Sequence, residues 1–428
     1  MIVRVGVDDT DSKHGMCTTY VGTVIADKLR AHAFDLNGYP KLVRLNPNWH
    51  LKTRGNCAIS LHVECDGSRI SDMKELVLET VRELAELQCE TTNPGVVFYG
   101  CDRVPRELKK FSKMVIQSVV EIEDAERLAQ RIGAEYCKFK LGRGIVGALA
   151  AVGETFEEDS TYELLAYRTP GFRGKKRMID ANSVHEMDEK TFPRTFDNID
   201  RNTGEIRITP HTPCPVLFGI RSQDPGSALE AFHLVRVNEP VERWIIYQTN
   251  QATDAHLVKS TISNLSPFRS AILSGSISQR PRIIPGGHVI FNLRDEGGEI
   301  SCAAYEPTRR FRDVIRKLEV GDSVRVFGGI RKRQGLPLTL NLEKIEVANL
   351  TKIYVKKNPI CAVCNKRAKS EGKSKGYQCE ICGRRFPPGS ETYVEKPREL
   401  EIGLHEVPPR ARRHLARPLA RMISHKRA

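Results

Sequence analysis

Two short cysteine pairs near the end of the chain, Cys361-Ala362-Val363-Cys364 and Cys379-Glu380-Ile381-Cys382, are separated by fourteen residues. Four thiolates arranged as two knuckles form the tetrahedral sulfur set that structural Zn2+ prefers, and Gly383 permits the tight turn after the second pair. Such a site has no open coordination position, so its metal holds together a ribbon too small to fold on its own core. A redox CxxC pair is a distant second reading. The other eight of the 12 cysteines are scattered, which suits a reducing compartment and one metal site better than a disulfide framework. Lys366, Arg367, Lys369, Lys373, Lys375, Arg384 and Arg385 crowd the ribbon, and contact with nucleic acid is preferred over a merely solvated face.

The 428 residues exceed one ordinary domain, and 67 Lys and Arg against 53 Asp and Glu leave a net charge of +14, which points to a polyanionic partner. From Ser266 the texture is all-β: three strands with glycine turns, a helix in RRFRDVIRKL, then two more strands. That is the order of an OB barrel, a fold that commonly grips oligonucleotides. Arg280, Arg282, Arg331, Lys332 and Arg333 fall at its strand edges or loops. The end of the chain, VPPRARRHLARPLARMISHKRA, is an arginine-rich arm of the kind that orders on RNA, or else a solubilising tail. No apolar run is long enough for a membrane span, and the amino terminus lacks a signal-peptide core. A soluble cytoplasmic protein is expected.

The first eighteen residues carry the chemistry. Val3, Val5 and Val7 alternate as a buried strand that stops at Asp8, Asp9, Thr10, Asp11 and Ser12. Carboxylates clustered at a strand's carboxyl end repel one another without a cation, and Mg2+ is the ion that one or two carboxylates and a substrate phosphate hold. Thr18 opens the following helix, where free backbone N–H groups favour phosphate. A solvated turn with a threonine N-cap is the plainer reading; three acids before a threonine-capped helix favour metal and phosphate.

Downstream, Asn46, Asn48, Lys52, Thr53, Arg54 and Asn56 crowd one loop, as suited to a nucleotide or RNA phosphate as to a solvated hairpin turn. SDMKELVLETVRELAEL is an amphipathic helix and TTNPG a turn before a buried strand, so a βαββαβ pattern emerges up to residue 135. Gly142-Arg143-Gly144 enters an alanine-rich helix; anion binding and close helix packing are equally good readings, since neither dinucleotide nor Walker spacing is met. Residues 136–265 read as an α+β domain holding Glu163, Asp180, Asp197 and Asp200, acids able to bind a cationic small molecule or to form ordinary ion pairs.

Taken together, GVDDTDSKHGMCTTY, RLNPNWHLKTRGN, the TTNPG turn, GRGIVGALAA, the HTPCPVLFGIR run, the OB pattern and the four-cysteine ribbon resemble the archaeal tRNA(Ile) 2-agmatinylcytidine synthetase family over essentially the full chain. The resemblance implies a multidomain α+β protein: an N-terminal α/β kinase-like domain for ATP and Mg2+ (1–135), a ferredoxin-like agmatine-binding domain (136–265), an OB-fold β-barrel (266–350), a zinc ribbon (351–395) and a basic C-terminal tail (396–428). It implies an ATP-dependent ligase joining agmatine to C2 of the wobble cytidine in the CAU anticodon of an isoleucine tRNA, with ATP converted to AMP and two phosphates. A phosphorylated cytosine would carry the activation. By the same resemblance Asp8, Asp9 and Asp11 bind Mg2+ and orient ATP, and Thr18 stands beside the phosphorylating centre and itself accepts phosphate. Lys52, Arg54, Gly142, Arg143 and Gly144 line the phosphate cleft, and Asp197 or Asp200 anchors agmatine. The competing expectation is a non-catalytic RNA-binding or assembly factor in which barrel, ribbon and tail do everything.

Overall fold

The computed structural model describes residues 1–424. The first strand, Ile2–Asp8, lies between Gly95–Gly100 and Cys57–Glu64, and Lys41–Arg44 completes the row, every neighbour antiparallel. With the helices Thr18–Ala31 and Ile70–Leu84 in the crossovers, this is the split βαβ arrangement in which the fourth strand flanks the first. Val3, Val5 and Val7 pack on these two helices through Val21, Ile25, Met73, Val77 and Val81. The opposite face is covered by Arg106–Gln117, Ile122–Ile132 and Gly144–Gly153, packed around Val43, Ala58 and Val97.

The same topology occurs a second time. Strands Thr161–Arg168, Thr195–Phe196, Val216–Ser222 and Val241–Thr249 alternate with helices Ala181–Thr191 and Pro225–Leu234, and the fourth strand again lies beside the first. This is the ferredoxin-like unit expected after residue 135. The two units join edge to edge where Gln248 and Thr249 pair in parallel with Lys41 and Leu42, giving one ten-stranded sheet. Strand Glu135–Lys138 extends the first unit's edge on Gly95–Gly100, and Gly144–Gly153 lies across its face. The sheet therefore runs through the expected division at 135 without a break.

The barrel closes as expected. Ser270–Ile284, His288–Asp295, Gly298–Ala304, Thr339–Asn349 and Ser323–Arg331 pair in a ring, and the short helix Phe311–Arg316 falls between the third and fourth strands in sequence. Beyond it, Ile353–Lys357 pairs with Thr392–Lys396 at the base of the ribbon. Among the described residues no helix is long and apolar enough to cross a membrane.

The basic tail departs from the expectation of an arm ordered only on RNA, because acids of the second unit and of the barrel receive it. Gly403–Glu406 adds a strand to the barrel at Lys344–Val347. Arg412 pairs with Asp197 and Glu406, Arg413 with Glu343 at 3.0 Å, and Arg417 and Arg421 with Asp159. Arg421 is 1% exposed and also donates to the Ala252 carbonyl at 2.5 Å. The final four residues of the expected tail lie outside the described residues.

Arg421→Ala leaves Asp159 with one fewer guanidinium in a largely dry site, so a loss of about 3 kcal/mol in denaturant unfolding is expected, with protease cleavage appearing after residue 396. Burial raises the Asp159 carboxyl, but Arg421 and Arg417 outweigh it and hold it below its ordinary value. The tail attachment is therefore complete above the ordinary carboxylate range and weakens as pH falls below it. Protease resistance of the tail unchanged in Arg421→Ala would remove this assignment.

Candidate active site

A cavity of about 390 Å³ opens where the two split βαβ units meet, and Asp8, Asp9 and Asp11 line it with Thr18, Lys52, Arg54, Arg143, Gly144, Glu163, Asp197 and His414. Asp8 ends the first strand, and Asp9 turns the chain at φ 58° with its N–H donating to Asp8 Oδ1 at 2.7 Å. The sharp turn aims successive carboxylates into one cavity. Asp9 Oδ2 accepts from the Asn93 N–H at 3.2 Å and from Arg143 Nη2 at 3.0 Å. Asp11 Oδ2 takes the fork of Arg54 through Nε at 3.1 Å and Nη2 at 2.6 Å. Asp8 has no ion-pair partner among the described residues.

Burial pushes all three carboxyls above their ordinary range, Asp8 well above, with Asp9 and Asp11 adding repulsion to Asp8. Two arginines offset the crowding at Asp9 and Asp11 only in part. Packing leaves no slack here. A Cβ on Gly147 would overlap Asp8 Oδ2, and one on Gly144 would stand 2.5 Å from the Gly95 nitrogen and 2.6 Å from the Asp8 carbonyl. Two small residues thus let the Gly144–Gly153 helix begin against the acidic turn, the positive end of its dipole facing negative charge. Gly142, at φ 66°, belongs to the turn before that helix and does not line the cavity; a Cβ there would meet the Lys138 side chain.

Thr18 is the first residue of its helix, and its Oγ1 accepts from Thr10 Oγ1 at 3.2 Å. Of the donors expected in the 46–56 loop, the asparagines are spent on backbone carbonyls, two at the entry to the barrel and one within the loop. Asn46 Nδ2 donates to the Phe268 carbonyl at 3.0 Å, Asn48 Nδ2 to the Arg269 carbonyl at 3.1 Å, and Asn56 Nδ2 to the Asn46 carbonyl at 2.8 Å. Lys52 remains at the cavity wall, where burial and then Arg413 and Arg331 lower it to about 8. Arg44 Nε and Arg54 Nη1 are buried donors without a protein partner. Unmet donors and a suppressed lysine mark a wall that accommodates an anion.

The far wall comes from the second unit. Glu163 Oε2 accepts from Gln251 Nε2 at 2.6 Å and Arg44 Nη2 at 3.2 Å, and Asp197, at φ 57°, faces Arg221 Nη1 at 3.7 Å and is paired with Arg412. Asp200 stands outside the wall; it is buried, its Oδ1 accepts the Asn202 N–H at 3.1 Å, and Oδ2 has no partner. Residues that motif reading passes over complete the cavity. His414 reaches in from the tail, its Nδ1 accepting from Arg221 Nη2 at 3.0 Å, and Arg44, burial and Arg221 hold it well below its ordinary range. Arg177 donates to the carbonyls of Pro210 (2.7 Å), Thr212 (2.9 Å), Cys214 (3.0 Å) and Val216 (2.8 Å), so one guanidinium shapes the 209–214 loop that walls the cavity. Burial pushes the neighbouring Cys57 thiol up to about 12, which makes it a packing group at neutral pH.

The ribbon forms a separate centre. Sγ atoms of Cys361, Cys364, Cys379 and Cys382 all lie within 4.8 Å of one another, with Cys361 and Cys382 at 3.6 Å. Tetrahedral sulfur around Zn2+ at about 2.3 Å needs such spacing. Both knuckles close alike: Asn365 N–H donates to the Cys361 carbonyl and Gly383 N–H to the Cys379 carbonyl, each at 2.8 Å, with φ at 48° and 72°. Asparagine serves in the first turn where glycine serves in the second.

Family models match in the same order as the folded units: a TiaS TCKD domain over residues 4–141, a TiaS FLD domain over 142–256, an OB-fold nucleic acid binding domain over 272–348, and a TiaS C-terminal zinc ribbon domain over 358–400. The chain is 43% identical over 424 residues to the tRNA(Ile2) 2-agmatinylcytidine synthetase TiaS of Methanocaldococcus jannaschii, covering 98% of both, and 42% identical over 423 residues to that of Archaeoglobus fulgidus, covering 99% and 98%. Among solved structures it superposes on a TiaS–tRNA(Ile2)–ATP complex with a TM-score of 0.89 at 41% identity, covering 99% of this chain and 98% of that one. With a TiaS–tRNA(Ile2)–AMPCPP–agmatine complex the TM-score is 0.85 at 39% identity, with the same coverage.

Arg177→Met removes four hydrogen bonds to backbone carbonyls of the loop and the strand that follows it. Amide exchange across 209–216 should accelerate at least tenfold relative to the rest of the sheet, since each such bond contributes about 1 kcal/mol. Exchange no faster than in the parent protein would mean that the loop holds its shape without Arg177.

Proposed function

The chain belongs to the tRNA(Ile2) 2-agmatinylcytidine synthetase TiaS family, and from that premise we propose that it joins agmatine to C2 of the wobble cytidine of the CAU-anticodon isoleucine tRNA, converting ATP to AMP and two phosphates. The observation that carries the reading is a single cavity with three desolvated carboxylates and unmet cationic donors on one side and a second acidic wall on the other. A protein that only held RNA would have no use for such a centre.

The chemistry assigns the groups. The C2 oxygen of cytosine leaves poorly, so transfer of one phosphoryl group to it comes first; the agmatine amine then attacks C2, the C2–O bond breaks, and phosphate departs with that oxygen while the amine gives up its proton, the second phosphoryl group of ATP ending on water. Asp8, Asp9 and Asp11 hold Mg2+, which supplies charge neutralisation at the transferred phosphoryl group. Lys52, Arg54, Arg143 and the helix end at Gly144 orient phosphates, and Thr18, at the acidic turn, is the phosphorylation site. Asp197 is the better agmatine anchor of the two acids expected, because its carboxylate faces the cavity and already receives guanidinium groups. Glu163 stands beside it and serves the same end. The cytidine leaves its stack to enter.

Incubating the protein with tRNA transcript, agmatine, Mg2+ and ATP should release AMP and yield a cytidine heavier by agmatine less water; no nucleotide turnover would favour the RNA binder. Asp9→Ala should lower AMP formation about a thousandfold while tRNA affinity stays within about threefold. Equal loss of affinity would make the acid structural. Lys52, lowered to about 8, is charged below that pH and neutral above it. In the parent protein ATP affinity should therefore fall between pH 7 and pH 9, as followed by equilibrium binding, and Lys52→Arg should flatten the profile; a parent protein with a flat profile removes Lys52 from the phosphate site.

A further inference from the structure

One feature at the cavity mouth has no part in phosphoryl transfer. The loop that carries Lys52 and Arg54 also presents Trp49 and His50, with ring centroids 4.7 Å apart, and His50 lies 5.6 Å from the ring of Phe268, tilted by 33°. The three rings form a row. It begins at Trp49, which lines the cavity itself, passes through exposed His50, and ends at half-buried Phe268 on the segment that enters the barrel. The row thus spans the seam between the unit that holds the acidic turn and the OB barrel.

Phe268 is held at φ 62°, a conformation that costs a bulky residue energy and that persists only where its surroundings enforce it. They do so here at both ends of the residue. Its N–H donates to the Ile330 carbonyl at 3.1 Å, and its carbonyl accepts from Asn46 Nδ2 at 3.0 Å. The neighbouring Asn48 is tied to the barrel as well, through Arg269, Ser270 and Arg331. Two separate units are therefore clamped together in a way that sets one ring from the barrel beside two from the loop, although rings left this open to solvent add little to either core.

We infer that Trp49, His50 and Phe268 form a stacking ledge that receives the unpaired nucleobases flanking the cytidine when that base enters the cavity. The inference rests on the RNA-modifying reading above. Aromatic faces attract unstacked bases whatever their identity, and cationic side chains beside them hold the connecting phosphates. Arg331 and Arg413 reach the same loop at Asn48 and Lys52 lies beside them, while Trp49 makes the ledge continuous with the cavity. An apolar protein segment would bring no negative charge to these cations, whereas a phosphate chain does. A base pulled from an anticodon loop leaves neighbours that have lost their own stacking, and the ledge replaces what they lose.

The test uses the full-length protein and a tRNA transcript carrying 2-aminopurine in place of the base following the cytidine. Binding should quench its fluorescence in the parent protein and in His50→Phe. His50→Ala should lose the quench and weaken RNA binding about tenfold, and Trp49→Leu and Phe268→Leu should act in the same direction. Rescue by a different aromatic ring separates stacking from fold maintenance. Because His50 is exposed, its variants keep the test open even where Phe268→Leu fails to fold. A His50→Ala protein that binds and quenches like the parent overturns the ledge and leaves the ligase reading standing, provided the parent transfers agmatine. A parent protein that neither binds the transcript nor modifies it overturns both.

Discussion

Negative charge taken out of water at the end of a buried strand has to be answered, and much of this molecule is arranged around the answer. Arg54 comes from a hairpin loop and Arg143 from the start of a helix, and the TTNPG turn closes over the acids, its Asn93 N–H on Asp9 and its Thr92 hydroxyl on the Asp11 carbonyl. Even so, the three carboxyls remain easier to protonate than free ones. Protein cations alone do not offset the repulsion among them.

The chemistry sits where it does because a topology is used twice. Each split βαβ unit exposes one edge, and pairing Lys41–Arg44 with Val241–Thr249 buries both while setting the acidic turn of one opposite the Glu163 and Asp197 wall of the other. Thr23 bonds to Tyr247 across this junction at 2.9 Å, and the Tyr20 and Tyr167 rings meet edge-on at 5.3 Å. The helix that begins at Thr18 is therefore held by both units.

Signals confined to a short stretch of chain are legible in the amino-acid sequence. The alternating valines, the acid block, the strand order of the barrel and the two cysteine knuckles each announce themselves within their own segment, and all recur in the fold. The repeated topology leaves no such mark, because the second unit contributes a strand of only two residues, Thr195–Phe196, and shares no motif with the first. Nor does composition tell which donors face the cavity. Asn46, Asn48 and Asn56 look like phosphate ligands and serve as loop ties, whereas Arg177 and His414 shape the cavity from positions that carry no motif of their own. Glu163 is visible as an acid but not as a wall, since its role comes from the pairing of three strands and a glutamine at 251.

That His414 reaches the cavity from beyond the ribbon sets an order of events on the protein's own synthesis. Translation places the acidic turn, the facing acids, the barrel and the ribbon outside the ribosome well before the histidine clears the exit tunnel, and the guanidinium of Arg421, which anchors that stretch, emerges later still. A nascent chain can thus be folded in every large unit and yet lack one side of its cavity.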